Sequence, residues 1–189
     1  QHPHWSLSTL LKGIPEPKNF QDGSENRFDR NASRAGANWE FLDALREKWN
    51  GNLIVKGIMD TDDASRVQNA GVDAIWVSNH GGRQLDSSPP ALSALPKIRN
   101  TVGPNMPIIF DSGARNGEDV VKALALGANF VMLGRPIMMA LAASSKKGLN
   151  DYLSLLKDEI GVVMAQLGIN DLEKISGDVL YDGISKNVR

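Results

Sequence analysis

From residue 39 onward the chain alternates short apolar runs with helical periods, and this alternation restricts the possible folds more than any other feature. The runs LIVKG at 53–57, AIWVSN at 74–79, PIIFDSG at 107–113 and NFVMLGR at 129–135 are continuous, as in strands buried on both faces. Helical stretches separate them. TDDASRVQNAG opens on a Thr and Asp capping signal and closes at Gly71. ALSALPKIRNTVG and GEDVVKALALGA follow the next two strands, the latter with acids in its first turn. Strand, helix, strand implies parallel strands joined by right-handed crossovers. The choice is then between an open doubly wound sheet and part of a barrel.

The placement of reactive residues decides between them. Lys56 ends the first run, Ser78 and His80 the second, Asp111 and Gly113 the third, and Gly134 and Arg135 the fourth. Polar groups at the carboxyl ends of several successive parallel strands are the habit of a (β/α)8 barrel, whereas an open sheet gathers them at one switch point. The expected fold is therefore α/β, the C-terminal half of a (β/α)8 TIM barrel with about four βα units, preceded by an N-terminal loop segment. Half a barrel has two open edges, which calls for an upstream half or a second copy.

The run WVSNHGGRQLD at 76–86 carries the most specific chemistry. His80 is the only histidine outside the first few residues and stands three positions before Arg83. Histidine exchanges a proton most readily near neutral pH, and arginine offers a rigid fork that matches a carboxylate. A base beside a carboxylate clamp suits an enzyme that takes a proton from a small acid. DSGARNGEDV adds glycines that admit a ligand to the backbone, Arg115 for charge, and a helix start whose dipole favours an anion; GRP at 134–136 repeats the device. Together they read as a phosphate site suited equally to a flavin mononucleotide or a sugar phosphate. No Walker pattern is present, which argues against a nucleoside triphosphate.

Each of these residues also has a plainer reading. Gly113 and Gly134 serve equally well as turn glycines, Arg115 and Arg135 as solvated charges, Lys56 as a surface lysine and His80 as a loop histidine. The wholly apolar run before Lys56, and the Gly81, Gly82 and Arg83 that follow His80, favour the functional readings. Asp86 is read as a cap of the turn before Pro89 and Pro90 rather than a partner of His80.

The chain has 189 residues with a formal net charge of -1 and 41% hydrophobic residues, enough for one substantial core. The near-neutral balance gives no reason to expect a nucleic-acid partner. The absence of cysteine excludes a disulfide framework, a thiolate metal site and a cysteine nucleophile. No apolar run is long enough to span a bilayer. The start, QHPHWSLSTL, lacks the features of a signal peptide and an initiator methionine, which reads as processing or as an origin inside a longer protein. Trp5, Leu7, Leu10, Leu11 and Ile14 form a short amphipathic stretch, read from its residues as a helix packed on its own domain in preference to a membrane-facing segment; residues 15–38 are polar, without period, and read as a long mobile loop.

SNHGGRQLD, with KGI at 56–58, DSGARNGEDVVKALALGA at 111–128 and LGRP at 133–136, resembles the FMN-dependent 2-hydroxy acid oxidase and dehydrogenase family, which includes glycolate oxidase and lactate and mandelate dehydrogenases. The likeness runs from about residue 39 to about residue 170. It implies a (β/α)8 barrel with FMN as cofactor at the carboxyl ends of the strands. It implies that Lys56 contacts the flavin and stabilises its reduced ring, that Ser78 touches the isoalloxazine, that His80 is the base and that Arg83 binds the substrate carboxylate. Asp111, Gly113, Arg115, Gly134 and Arg135 would hold the ribityl chain and phosphate.

The implied activity is oxidation of an L-2-hydroxy acid to the 2-oxo acid, with quinone or oxygen as electron acceptor, in a homo-oligomer, a tetramer in the family. HPHWSL followed by a polar stretch resembles a segment of the membrane-associated members. Residues 1–38 then form a flexible, membrane-associating segment and 39–189 the barrel half, in a cytoplasmic protein peripheral on the inner face of the cell membrane. The family's catalytic tyrosines and histidine-orienting aspartate have no match here; Tyr152 and Tyr181 lie late and in another context. These 189 residues alone are therefore expected to be inactive. The alternatives are another phosphate-binding barrel enzyme, or an inactive half-barrel that pairs with another chain.

Overall fold

The computed structural model describes residues 3–13 and 36–181. Two compact units divide the chain, residues 1–42 and 43–189. The first contains helix α1 (Pro3–Lys12), where Trp5, Leu7, Leu10 and Leu11 are all exposed. Ile14, and the loop read at 15–38 as far as residue 35, lie outside the described residues. Helix α2 (Trp39–Lys48) starts at an Asn38 cap whose Oδ1 accepts the Phe41 amide at 2.9 Å.

The second unit is built from four strand and helix pairs. They are β1 (Ile54–Ile58) with α3 (Thr61–Asn69), β2 (Ala74–Val77) with α4 (Ala91–Val102), β3 (Ile108–Phe110) with α5 (Gly117–Ala125), and β4 (Phe130–Val131) with α6 (Arg135–Gln166). All neighbouring strands are parallel and their order is β1-β2-β3-β4. A strictly sequential order means that every crossover advances in one direction, as in a barrel; a doubly wound sheet reverses at its switch point. The sheet is therefore four consecutive units of a (β/α)8 barrel.

Local signals explain most boundaries. Asp60 caps α3 by accepting the Asp62 and Asp63 amides, one residue before the Thr expected to share that role. Asn116 caps α5 through the Asp119 amide. The strands are shorter than the apolar runs suggested, β4 comprising only Phe130 and Val131. Ser144 and Ser145 break α6 into two helical pieces.

Register divides the sheet into two faces. Ile75 pairs with Ile108 and Val77 with Phe110, and these four side chains are buried together with Val67, Leu95, Ile98 and Val121. The opposite face carries the rung Lys56, Trp76, Ile109 and Phe130. The expectation of strands buried on both faces holds only for the face of Ile75, Val77, Ile108 and Phe110: on the other face Trp76 and Ile109 are half-buried, and at the edges Ile54 is 46% and Phe130 58% exposed. Among the described residues no further strand flanks β1 or β4, so their side chains lack a neighbour on one side.

At the amino ends of the strands, two ionic groups tie the loops down. Arg99 donates to the carbonyls of Gly127, Gly103 and Met106 and to Asn129 Oδ1, at 2.6 to 2.9 Å. Burial lowers its pKa from the usual arginine range. Asp73 accepts the Leu53 amide at 2.7 Å and Arg46 Nη1 at 3.0 Å, which together hold its carboxyl below the ordinary value.

Candidate active site

Alternation along the strands carries the inner-face rung upward to the reactive residues. Ser78 lies two residues after Trp76, and Asp111 two after Ile109, so both side chains belong to the face that bears Lys56. The three meet. Lys56 Nζ donates to Ser78 Oγ at 2.7 Å, lies 3.3 Å from Asp111 Oδ2 and stands 4.9 Å from the Trp76 ring centroid. Ser78, only 2% exposed, donates its hydroxyl hydrogen bond to Asp111 Oδ1. The ammonium is thus fixed by a carboxylate, a hydroxyl and an aromatic face while still partly exposed. Gly57 (φ 100) supplies the bulge beside it, where the register with β2 shifts.

The next turn holds the histidine and arginine of the HGGR run. His80, Gly81 and Gly82 have φ of 57, 67 and 74, three left-handed residues in succession. Glycine adopts this readily, but His80 does so at a steric cost that the surrounding bonds must offset. Its amide donates to Ser78 Oγ at 3.0 Å, and the Gly81 amide to Ser112 Oγ at 3.0 Å. A Cβ on Gly81 would stand 3.2 Å from Arg135 Nη2, so the glycine also makes room for that guanidinium. His80 Nδ1 faces Gln84 Nε2 at 3.3 Å, whereas Asp86 makes no bond to the ring.

A cavity of about 290 Å³ opens between these strand ends. His80, Arg83, Asp111, Gly113, Arg115, Gly134 and Arg135 all line it. Lys56 and Ser78 line an adjoining cavity of about 420 Å³, which shares His80 with the first. Every residue singled out in the sequence therefore reaches one of two neighbouring cavities. The space around Gly113 and Gly134 is open, with no atom within 4 Å of where a Cβ would stand. Among the described residues, the guanidinium groups of Arg83 and Arg115 have no hydrogen-bond or ion-pair partner.

The start of α5 is partly occupied: Gly117 N is taken by Glu159 Oε2 at 2.8 Å, Asp119 N by Asn116 Oδ1 at 2.9 Å, and Arg115 N by Asp119 Oδ2 at 2.9 Å. The start of α6, at Gly134 and Pro136, has no side-chain cap and borders the cavity. Three residues that shape the site were given no role in it from the sequence. Ser112, left-handed at φ 79, donates to Asp111 Oδ1 at 2.6 Å as well as accepting from Gly81. Gln84 meets His80, and Tyr152 OH donates to the Arg115 carbonyl at 2.9 Å. Only Gln84, four residues after His80, left a local sequence signal.

Comparison with known proteins bears directly on this arrangement. The family model described as FMN-dependent dehydrogenase matches residues 1–182. (S)-Mandelate dehydrogenase of Pseudomonas putida is 40% identical over 188 residues, covering 96% of this chain and 47% of that protein. An L-lactate dehydrogenase of Acinetobacter baumannii is 39% identical over 203 residues, covering 99% and 51%. Among solved structures, the monotopic membrane protein (S)-mandelate dehydrogenase matches with TM-score 0.86 at 40% identity, over 96% of this chain and 50% of that one. A mandelate oxidase variant bearing a monooxide FMN adduct matches with TM-score 0.69 at 41% identity, over 72% and 44%. The chain spans about half the length of the curated relatives it matches.

The family's cofactor is FMN, and the residues present fit it. The unpaired guanidinium of Arg115, with Arg135 and the open backbone at Gly113 and Gly134, suits a phosphate, and a fixed ammonium suits an electron-rich ring. Sequence, fold and donor set agree that the chain belongs to the FMN-dependent dehydrogenase family.

Proposed function

We propose that this site serves FMN-dependent oxidation of an L-2-hydroxy acid, of the lactate or mandelate type, to the 2-oxo acid. The observation that carries the reading is the meeting of His80 and Arg83 on the wall of one cavity with Gly113, Arg115, Gly134 and Arg135. In this reading Arg115 and Arg135, with the backbone at Gly113 and Gly134, hold the phosphate, and Asp111 the ribityl chain. Lys56 and Ser78 lie against the flavin ring. FMN supplies acceptance of the two electrons. Arg83 grips the substrate carboxylate in a bidentate pair, which fixes C2 relative to His80. The His80 ring receives one proton, with Gln84 beside its Nδ1. That proton comes from the C2 hydroxyl if hydrogen leaves carbon as hydride, and from C2 itself if a carbanion forms. Both routes make the same demands on the base and the clamp.

We also read residues 1–38 as the part that faces a membrane, with 39–189 as the barrel half, on the inner side of the cell membrane and with a quinone as acceptor. The exposed Trp5, Leu7, Leu10 and Leu11 of α1 support this, as does the likeness to a monotopic membrane protein. Among the described residues no helix is long and apolar enough to cross a membrane. Deleting residues 1–38 from the intact protein should release it from membranes; unchanged partitioning would overturn the assignment. A homo-oligomer is proposed on family likeness alone.

Two variants of the intact protein test the chemistry separately. H80Q should lose at least about 10²-fold in kcat while retaining bound flavin. R83K should mainly raise KM, because an ammonium cannot replace a two-point clamp. An H80Q variant with normal kcat would remove the proposed base.

A further inference from the structure

Arg115 leaves β3 on a short loop, and its backbone is held from far along the chain. Tyr152 OH, on α6, donates to the Arg115 carbonyl at 2.9 Å. Two helical turns further on, Glu159 Oε2 accepts the Gly117 amide at 2.8 Å. At the second anchor α5 and α6 approach so closely that a Cβ on Gly117 would stand 2.5 Å from the Ile160 nitrogen. Asp119 takes the Arg115 amide at 2.9 Å. Both backbone polar groups of Arg115 are therefore engaged, and its guanidinium alone is left to face the cavity.

A carboxylate near an anion site is unfavourable by charge, so Glu159 is useful there only for where it holds the chain. By occupying the Gly117 amide, it also takes the first α5 amide away from an anion, which shifts recognition towards Arg115 and Arg135. Burial, and then Glu159 and Asp119, raise the Tyr152 pKa, so the phenol stays a proton donor across the neutral range.

We propose that Tyr152 and Glu159 are positioning residues for the phosphate: α6 sets the direction from which Arg115 meets it. The inference rests on the FMN reading of the cavity. It predicts selectivity between two flavins that differ only in the phosphate, a property that general loss of packing would not alter.

The experiment measures binding of FMN and of riboflavin to the intact protein, stripped of flavin, by quenching of flavin fluorescence. The native protein should bind FMN far more tightly than riboflavin. Y152F, which removes one hydroxyl, should weaken FMN about 3- to 10-fold and leave riboflavin within about 2-fold. E159Q keeps the acceptor oxygen and should stay within about 2-fold of native for both flavins, whereas E159A should behave like Y152F. Unchanged FMN affinity in Y152F, or equal weakening of both flavins, would overturn the positioning role. A native protein that does not distinguish FMN from riboflavin would overturn the FMN reading itself, and this inference with it.

Discussion

Substitution of Ser112 separates two opposing contributions at one position. The Ser112 hydroxyl donates to Asp111 Oδ1 at 2.6 Å and accepts the Gly81 amide at 3.0 Å, strapping the HGGR turn to the end of β3. Its backbone, at φ 79, is in the left-handed region. Each hydrogen bond contributes about 1 kcal/mol net, and a partly buried amide left unpaired adds to the loss, so S112A should cost about 2 to 3 kcal/mol. S112G loses the same bonds but relieves about 1 to 2 kcal/mol of left-handed strain. Glycine's freer unfolded chain returns about 0.5 to 1 kcal/mol of that. The balance puts S112G about 0.5 to 1 kcal/mol above S112A. Urea denaturation of the intact protein measures both. An S112A variant as stable as native would refute the strap, and an S112G variant below S112A would refute the strain.

Lys56→Met removes the ammonium that Ser78 and Asp111 hold, so the midpoint potential of bound flavin should fall; an unchanged potential in spectroelectrochemical titration would separate Lys56 from the ring. Arg99→Met removes donors to three carbonyls and to Asn129 and should cost about 3 kcal/mol in denaturation while KM stays native, since those bonds lie at the amino ends of the strands. Asp73 has its pKa lowered from 3.8, first by the Leu53 amide and then by Arg46. Its stabilisation is complete above that ordinary value and fades as pH falls through the lower folded one. The stability difference between native protein and D73N should therefore be constant near neutrality and close in acid.

The strand and helix alternation was legible because it depends on neighbours in sequence, and strand-end placement brought Lys56, Ser78 and Asp111 onto one face through a period of two. The nearness of His80 to Arg83 was equally plain. Contacts that join distant segments left no such trace. Ser112 reads as an ordinary residue after Asp111 until the Gly81 amide, 31 positions away, is seen to need it. The start of α5 looked like an anion site by composition, yet Glu159, 42 positions on, takes its first amide. Tyr152 drew attention only as a residue that did not match a catalytic tyrosine, and it braces Arg115 instead. The edge strands looked fully buried in sequence because an apolar run does not say whether a strand has a neighbour on both sides.

The central claim is that the two cavities around His80 hold a flavin and a 2-hydroxy acid side by side. Anaerobic mixing of the intact, FMN-loaded protein with L-lactate or (S)-mandelate, followed by absorbance, tests it most directly. The account predicts single-turnover bleaching of the flavin band by at least one of these acids and loss of that bleaching in H80Q. A flavin band unchanged by either acid, or bleached as fast in H80Q as in the native protein, would contradict it.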